Sequence, residues 1–272
     1  MSKLFPVIIF FLFHCLFLLT GYSQELKMRL PLKHDSKLEH INAKMLADEN
    51  RLITYGDNEP ILWDVRNKID IVKLTGHDNE VIKIIEAGKS TLSVSNDKVI
   101  IWNDDFTEKK EFKSRGNNAI IDVDFSYPYL AIASWEEVII WDVMGGGLVK
   151  LIPLGTDSWG MIVRINPGNS SLYTVSTNYA GKSILNSGGD WDNHANDSII
   201  KIWNFKTGQQ TGLIKPDGKS VKQIILDTKR NTILTLTELG FIGLYDTRNT
   251  ESPVEKKTKA IDEILEKAKY PT

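Results

Sequence analysis

The chain has 272 residues, of which 42% are hydrophobic and 9% aromatic, and a formal charge of −2. That is enough apolar material to fill a sizeable core, and there is no basic surplus of the kind that nucleic acid or an anionic membrane would attract. Cys15 is the only cysteine, so no disulfide framework is available.

Residues 1–23 differ from everything that follows. A single positive charge, Lys3, precedes the run "FPVIIFFLFHCLFLL", and small residues follow at Gly21 and Ser23. This order predicts a signal peptide, with the mature chain starting near Gln24 and lying outside the cytoplasm, secreted or periplasmic. The rival reading is an uncleaved anchor, though the run is short for a bilayer span. Phe13 and His14 precede Cys15 where a lipid attachment site would have small residues. The mature chain is therefore expected to carry no cysteine, no lipid and no membrane contact, a pattern that suits a Gram-negative bacterium.

Residues 24–250 are built on a recurrence. "PILWDV", "KVIIWN", "EVIIWDV", "SIIKIWNF" and "GFIGLYD" place aromatics at Trp63, Trp102, Trp141, Trp203 and Tyr245, at intervals of 39, 39, 62 and 42 residues. A period near 40 marks a repeat architecture. Within one unit the runs "EVIKIIEAG", "STLSVSND" and "KVIIWND" are short, rich in Val, Ile and Thr, and broken by Gly, Asn and Asp, which predicts about four antiparallel strands per unit.

These residues resemble the WD-repeat β-propeller family. "TGHDNEV", with Gly76 and His77, then "SVSND" and "IIWN", follows the Gly-His to Trp-Asp pattern closely, and "KHDSKL" with His34, then "ILWDV" with Asp64, follows it without the glycine. The third unit keeps Trp141-Asp142 but has Gly116-Asn117 where Gly-His belongs; the fourth has Gly155-Thr156, and the fifth ends in Tyr245-Asp246. The resemblance covers residues 26–248. It implies an all-β propeller of about five four-stranded blades, on its own or as part of a larger ring. It also implies that His77, Ser93 or Ser95, Asp97 and Trp102 form a hydrogen-bonded chain that fixes the second blade. Outer strands are expected near 27–32, 70–74, 111–114, 148–154 and 209–214, with the first closing the ring against the last blade. Closure would leave no open sheet edge.

After the last unit, Ser252, Pro253 and Glu255 read as the start of a helix over 251–272, and Ile261, Ile264, Leu265 and Ala268 share one side of it. Such a helix is either a strap on the ring or a link to a further domain.

No assembled active site is visible. Three "GKS" runs, at Gly88, Gly181 and Gly218, lack the earlier glycine of a phosphate loop and read as turns. No histidine pair has zinc-site spacing, His40 falls on a predicted strand, and no nucleophile elbow occurs. The long fourth unit carries Asp190, Asp192, Asn193, His194, Asn196 and Asp197, oxygen-rich enough for calcium but without a recognised loop spacing. Sequons at Asn169 and Asn196 matter only in a eukaryotic host. Trp135, Trp159 and Trp191, with Tyr55, fall in segments that the resemblance places in loops on one face of the ring, the kind of aromatic set that protein-recognition sites use. The expected function is a non-catalytic scaffold that takes a protein partner on that face, without cofactor. The alternatives are the regulatory propeller of a larger enzyme, such as a caspase-like protease, and a sugar- or small-molecule-binding propeller.

Overall fold

A computed structural model describes residues 41–116, 118–154, 158–178, 198–216, 221–237, 240–248 and 259–260. They form five antiparallel sheets, each of four strands joined in chain order. The first comprises β1 (Asn42–Met45), β2 (Arg51–Tyr55), β3 (Ile61–Asp64) and β4 (Ile69–Lys73). The second comprises β5 (Val81–Ala87), β6 (Ser90–Ser95), β7 (Lys98–Trp102) and β8 (Lys109–Lys113). The third comprises β9 (Asp122–Ser126), β10 (Tyr129–Ala133), β11 (Glu137–Asp142) and β12 (Gly147–Pro153). The fourth comprises β13 (Ser158–Asn166), β14 (Ser171–Asn178), β15 (Ser198–Asn204) and β16 (Gln209–Ile214), and the fifth β17 (Val221–Asp227), β18 (Thr232–Thr237), β19 (Phe241–Asp246) and β20 (Lys259–Ala260).

The strand sequences explain their positions in each sheet. Middle strands such as β7, buried along its whole length, are apolar on both faces because sheets cover them on both sides. Fourth strands such as β8, "KKEFK", are charged and mostly exposed, which blunts the outer edge. A bulge falls just before the indole between third and fourth strands in the first, third and fourth sheets, at Leu62/Trp63, Ile140/Trp141 and Ile202/Trp203.

Four apolar layers join the five sheets in succession. Ile53 and Leu62 of the first sheet pack on Ile84, Ile100 and Trp102 of the second. Leu92, Val94, Val99 and Ile101 then meet Val123, Leu130, Ile132 and Trp141 of the third. Ala131, Val138 and Ile140 meet Val163, Leu172 and Trp203 of the fourth, and Tyr173, Val175 and Ile200 meet Ile224, Ile233 and Tyr245 of the fifth. In each layer the recurring aromatic belongs to the later sheet and faces the earlier one. Trp102 and Trp203 are each less than a tenth exposed, which places hydrophobic burial at the centre of the stack's stability.

The aromatics predicted on third strands lie there, and the predicted outer strands at 70–74, 111–114, 148–154 and 209–214 fall within two residues of β4, β8, β12 and β16. Two expectations are corrected. The outer place of the fifth sheet, assigned to residues near 27–32, is taken beside Phe241 and Ile242 by β20. Lys259–Ala260 was also expected to be helical, but the open edge of β19 supplies backbone partners that the first turn of a helix would lack. The leader, His34, His40, the strand at 27–32 and the rest of 251–272 lie outside the described residues.

Candidate functional site

Among the described residues, the densest cluster of chemically capable side chains sits where the link from β4 enters the second sheet. His77 Nδ1 lies 2.9 Å from Ser95 Oγ, and Nε2 lies 2.7 Å from Ser93 Oγ. Trp102 Nε1 donates to Ser93 Oγ at 2.9 Å, and Ser95 Oγ donates to Asp97 Oδ1 at 2.9 Å. Asp97 also accepts from Asn79 Nδ2 at 3.0 Å, which makes it the turn residue that ends the chain of bonds. Both candidate serines take part.

Proton counting fixes the direction of this chain. A hydroxyl has one proton, and Ser95 gives its proton to Asp97, so Ser95 accepts from Nδ1–H. Ser93 accepts from the indole, and because burial keeps the imidazole neutral with its hydrogen on Nδ1, the bare Nε2 accepts the Ser93 proton. Burial and then the nearby Lys98 ammonium push the His77 pKa down to about 4. Lys98, itself buried, donates to the Gly76 carbonyl at 2.9 Å and to Asp78 Oδ2 at 2.7 Å, and its bond to Asp78 raises its own pKa. Gly76 has φ 132°, and an added Cβ would come within 3.0 Å of Ile100 Cδ1, so glycine is required there. Serine, histidine and aspartate together suggest a nucleophile. Ser93 and Ser95 have no solvent exposure, however, and Ser95 stands between His77 and Asp97. No substrate reaches them, and the chemistry available is structural.

The other sheets repeat parts of this arrangement. Trp63 Nε1 donates to Thr54 Oγ1 at 2.8 Å and Trp203 Nε1 to Thr174 Oγ1 at 2.9 Å, in each case to the hydroxyl two residues beyond the indole's cross-strand partner. The third sheet has Ile132 in that place, and the buried Trp141 Nε1 has no hydrogen-bond partner. The residue after each aromatic closes the turn to the fourth strand. Asp64 accepts from Asn67 N at 2.9 Å, Asp142 from Met144 N at 2.9 Å, Asn204 from Lys206 N at 3.0 Å and Asp246 from Arg248 N at 2.9 Å.

A second polar cluster joins the first strands of three sheets and was not singled out from the sequence. Asp122 on β9 accepts from Lys83 Nζ of β5 at 2.8 Å through Oδ1, and from Arg164 Nη1 at 2.7 Å and Val163 N at 3.1 Å of β13 through Oδ2. Burial opposes the Asp122 charge, but Lys83 and Arg164 outweigh it and hold the carboxyl below its usual range. Asp124 accepts from Ile165 N at 2.7 Å, and burial raises its pKa. The alternation in "IDVDF" is the sequence signal: carboxylates two apart on a strand point to one side.

The turns joining second and third strands meet the links between sheets at one end of the molecule. Val81 N donates to Asp57 O at 2.8 Å, Ile120 N to Asn96 O at 2.6 Å and Leu154 N to Glu136 O at 2.8 Å. Trp135, in the β10–β11 turn, is 44% exposed at this end. Tyr55 ends β2 and packs partly buried on the layer between the first and second sheets. Trp159 lies in β13 opposite Thr177, not in a loop, because pairing with β14 continues past the bulge before Ile162. Trp191 and the acidic set Asp190, Asp192 and Asp197, with Asn193, His194 and Asn196, lie outside the described residues. Among the described residues no cluster of three His, Cys, Asp or Glu could hold a metal, and no helix is long and apolar enough to cross a membrane. Gly88, with φ 65°, sits in the β5–β6 turn, as expected for the first "GKS". No protein-family model matches the chain, and no curated protein matches it at a significant level.

Proposed function

We propose that the chain is a WD-repeat β-propeller-type scaffold, exported after loss of residues 1–23, that binds a protein partner through its loop end and catalyses nothing. The observation that carries this reading is the buried run Trp102–Ser93–His77–Ser95–Asp97, together with an aromatic at the same third-strand position in every sheet. That run consumes the one Ser/His/Asp group of the described residues in holding a sheet, which leaves recognition to the loops. Trp135 supports the choice of end, since a large exposed aromatic in a turn is the side chain that interface hot spots favour. Fold by itself does not fix function, so the test is direct. The wild-type chain is expected to capture a specific protein from the envelope fraction of its source. The variant Trp135→Ala is expected to keep its unfolding midpoint and lose that protein. Undiminished capture by the variant would overturn the proposal.

A further inference from the structure

Asp122 gathers two cations across three successive first strands. Lys83 Nζ of β5 donates to Oδ1 at 2.8 Å and Arg164 Nη1 of β13 to Oδ2 at 2.7 Å, so one carboxylate of β9 bridges both. Arg164 is clamped a second time, because Nη1 also donates to the Val163 carbonyl. Those two bonds use both protons on Nη1 and leave Nε–H and the Nη2 pair. Among the described residues nothing accepts from these groups, nor from two of the three Lys83 N–H groups. Burial differs within the cluster: the Asp122 side chain is 11% exposed, those of Arg164 and Lys83 23% and 44%. The carboxylate is thus covered while the cations it holds reach solvent. Neutralising Asp122 takes one cation, and two are supplied. Asp124, the next carboxyl on that side of β9, accepts from Ile165 N at 2.7 Å, and burial raises its pKa, so it offsets the second cation less than an exposed carboxylate would.

We propose that Arg164 and Lys83 form a binding site on the first strands for the oxyanion group, carboxylate or phosphate, of a small ligand. Nε–H and one Nη2–H of a guanidinium lie parallel along one edge and take two oxygens of such a group at once. Asp122 and the Val163 carbonyl hold Arg164 in place, so little side-chain freedom is lost on binding. Lys83, on the other oxygen of Asp122, adds a charged donor from the neighbouring sheet. An oxyanion held by these contacts, in surroundings that water reaches, binds in the millimolar range.

Nitrogen-resolved NMR of the arginine side chains in the full chain tests this, with the Arg164 Nε–H signal assigned by Arg164→Lys. Inorganic phosphate and, separately, acetate are titrated against chloride at constant ionic strength. Either anion is expected to move the Arg164 signal along a saturable curve and to leave the other arginines in place, and the tighter of the two names the ligand's group. Followed at the Ile165 backbone N–H, Arg164→Lys keeps a cation for Asp122 but loses the paired donors and weakens binding about tenfold. Lys83→Met weakens it about threefold, and Asp124→Asn, which removes a like charge, tightens it about threefold. Circular dichroism checks that each variant is folded. Shifts that stay linear, that are matched at the other arginines, or that Arg164→Lys and Lys83→Met leave unchanged in folded chains each overturn the proposal.

Discussion

Ser93→Ala tests the hydrogen-bonded chain at its most connected atom. The Ser93 hydroxyl receives the Trp102 indole N–H at 2.9 Å and lies 2.7 Å from His77 Nε2, in a site with no solvent exposure. Removing it strands one buried donor and one buried acceptor, each worth about 1–3 kcal/mol, so the substitution is expected to cost about 3–5 kcal/mol. Thr174→Val is the internal comparison: it is isosteric and strands only the Trp203 indole, for about 1–2 kcal/mol. At about 2–4 °C per kcal/mol for a chain of this size, the midpoints fall by roughly 10 °C and 4 °C. Urea unfolding followed by tryptophan fluorescence and circular dichroism reads both, with the denaturant slope unchanged. Equal costs for the two variants, or less than about 1 kcal/mol for Ser93→Ala, would refute the connectivity.

Four further outcomes follow from the same geometry. His77 has a folded pKa of about 4 against 6.5 unfolded, so its contribution is intact above pH 6.5 and is lost as pH falls from 6.5 to about 4. The loss amounts to about 3 kcal/mol in all, and His77→Gln flattens that part of the stability profile. Asp122→Asn leaves Lys83 and Arg164 facing an uncharged amide and is expected to cost about 1–3 kcal/mol after allowance for their partial exposure. Asp124→Asn keeps an oxygen for Ile165 N and relieves a buried charge, so chemical denaturation is expected to find it neutral or stabilising. Ile132→Thr offers Trp141 Nε1 its missing acceptor, so it should unfold within about 0.5 kcal/mol of Ile132→Val, where an unpaired buried hydroxyl would cost about 1–3 kcal/mol more.

The sequence-to-structure relation was most legible where the determinants are local. Each third strand could be placed because its aromatic, its two flanking apolar residues and the Asp or Asn after it belong to one short run. The His77 chain was legible because its members fall within 26 residues, on one sheet and the link that enters it. Asn204 does the work of Asp142, accepting the backbone N–H two residues on, from Lys206 at 3.0 Å, so there the letter changed where the hydrogen bond did not; Asn103 instead accepts from Glu108, five residues on, at 3.1 Å. The cluster around Asp122 was missed because its partners lie 39 and 42 residues away on neighbouring sheets, and nothing local marks Lys83 or Arg164. β20 was misread for the same reason. Helical periodicity is written into its own neighbourhood, whereas the vacant edge of β19 is a property of the assembled sheet.

The claim that the recurring indoles bind sheets together and do no chemistry is tested most directly by nitrogen-resolved NMR of the indole N–H groups, assigned by single Trp→Phe changes. The account predicts slow solvent exchange and hydrogen-bonded shifts for Trp63, Trp102 and Trp203 in the folded protein. Exchange at these three as fast as in the same chain unfolded in urea would contradict it.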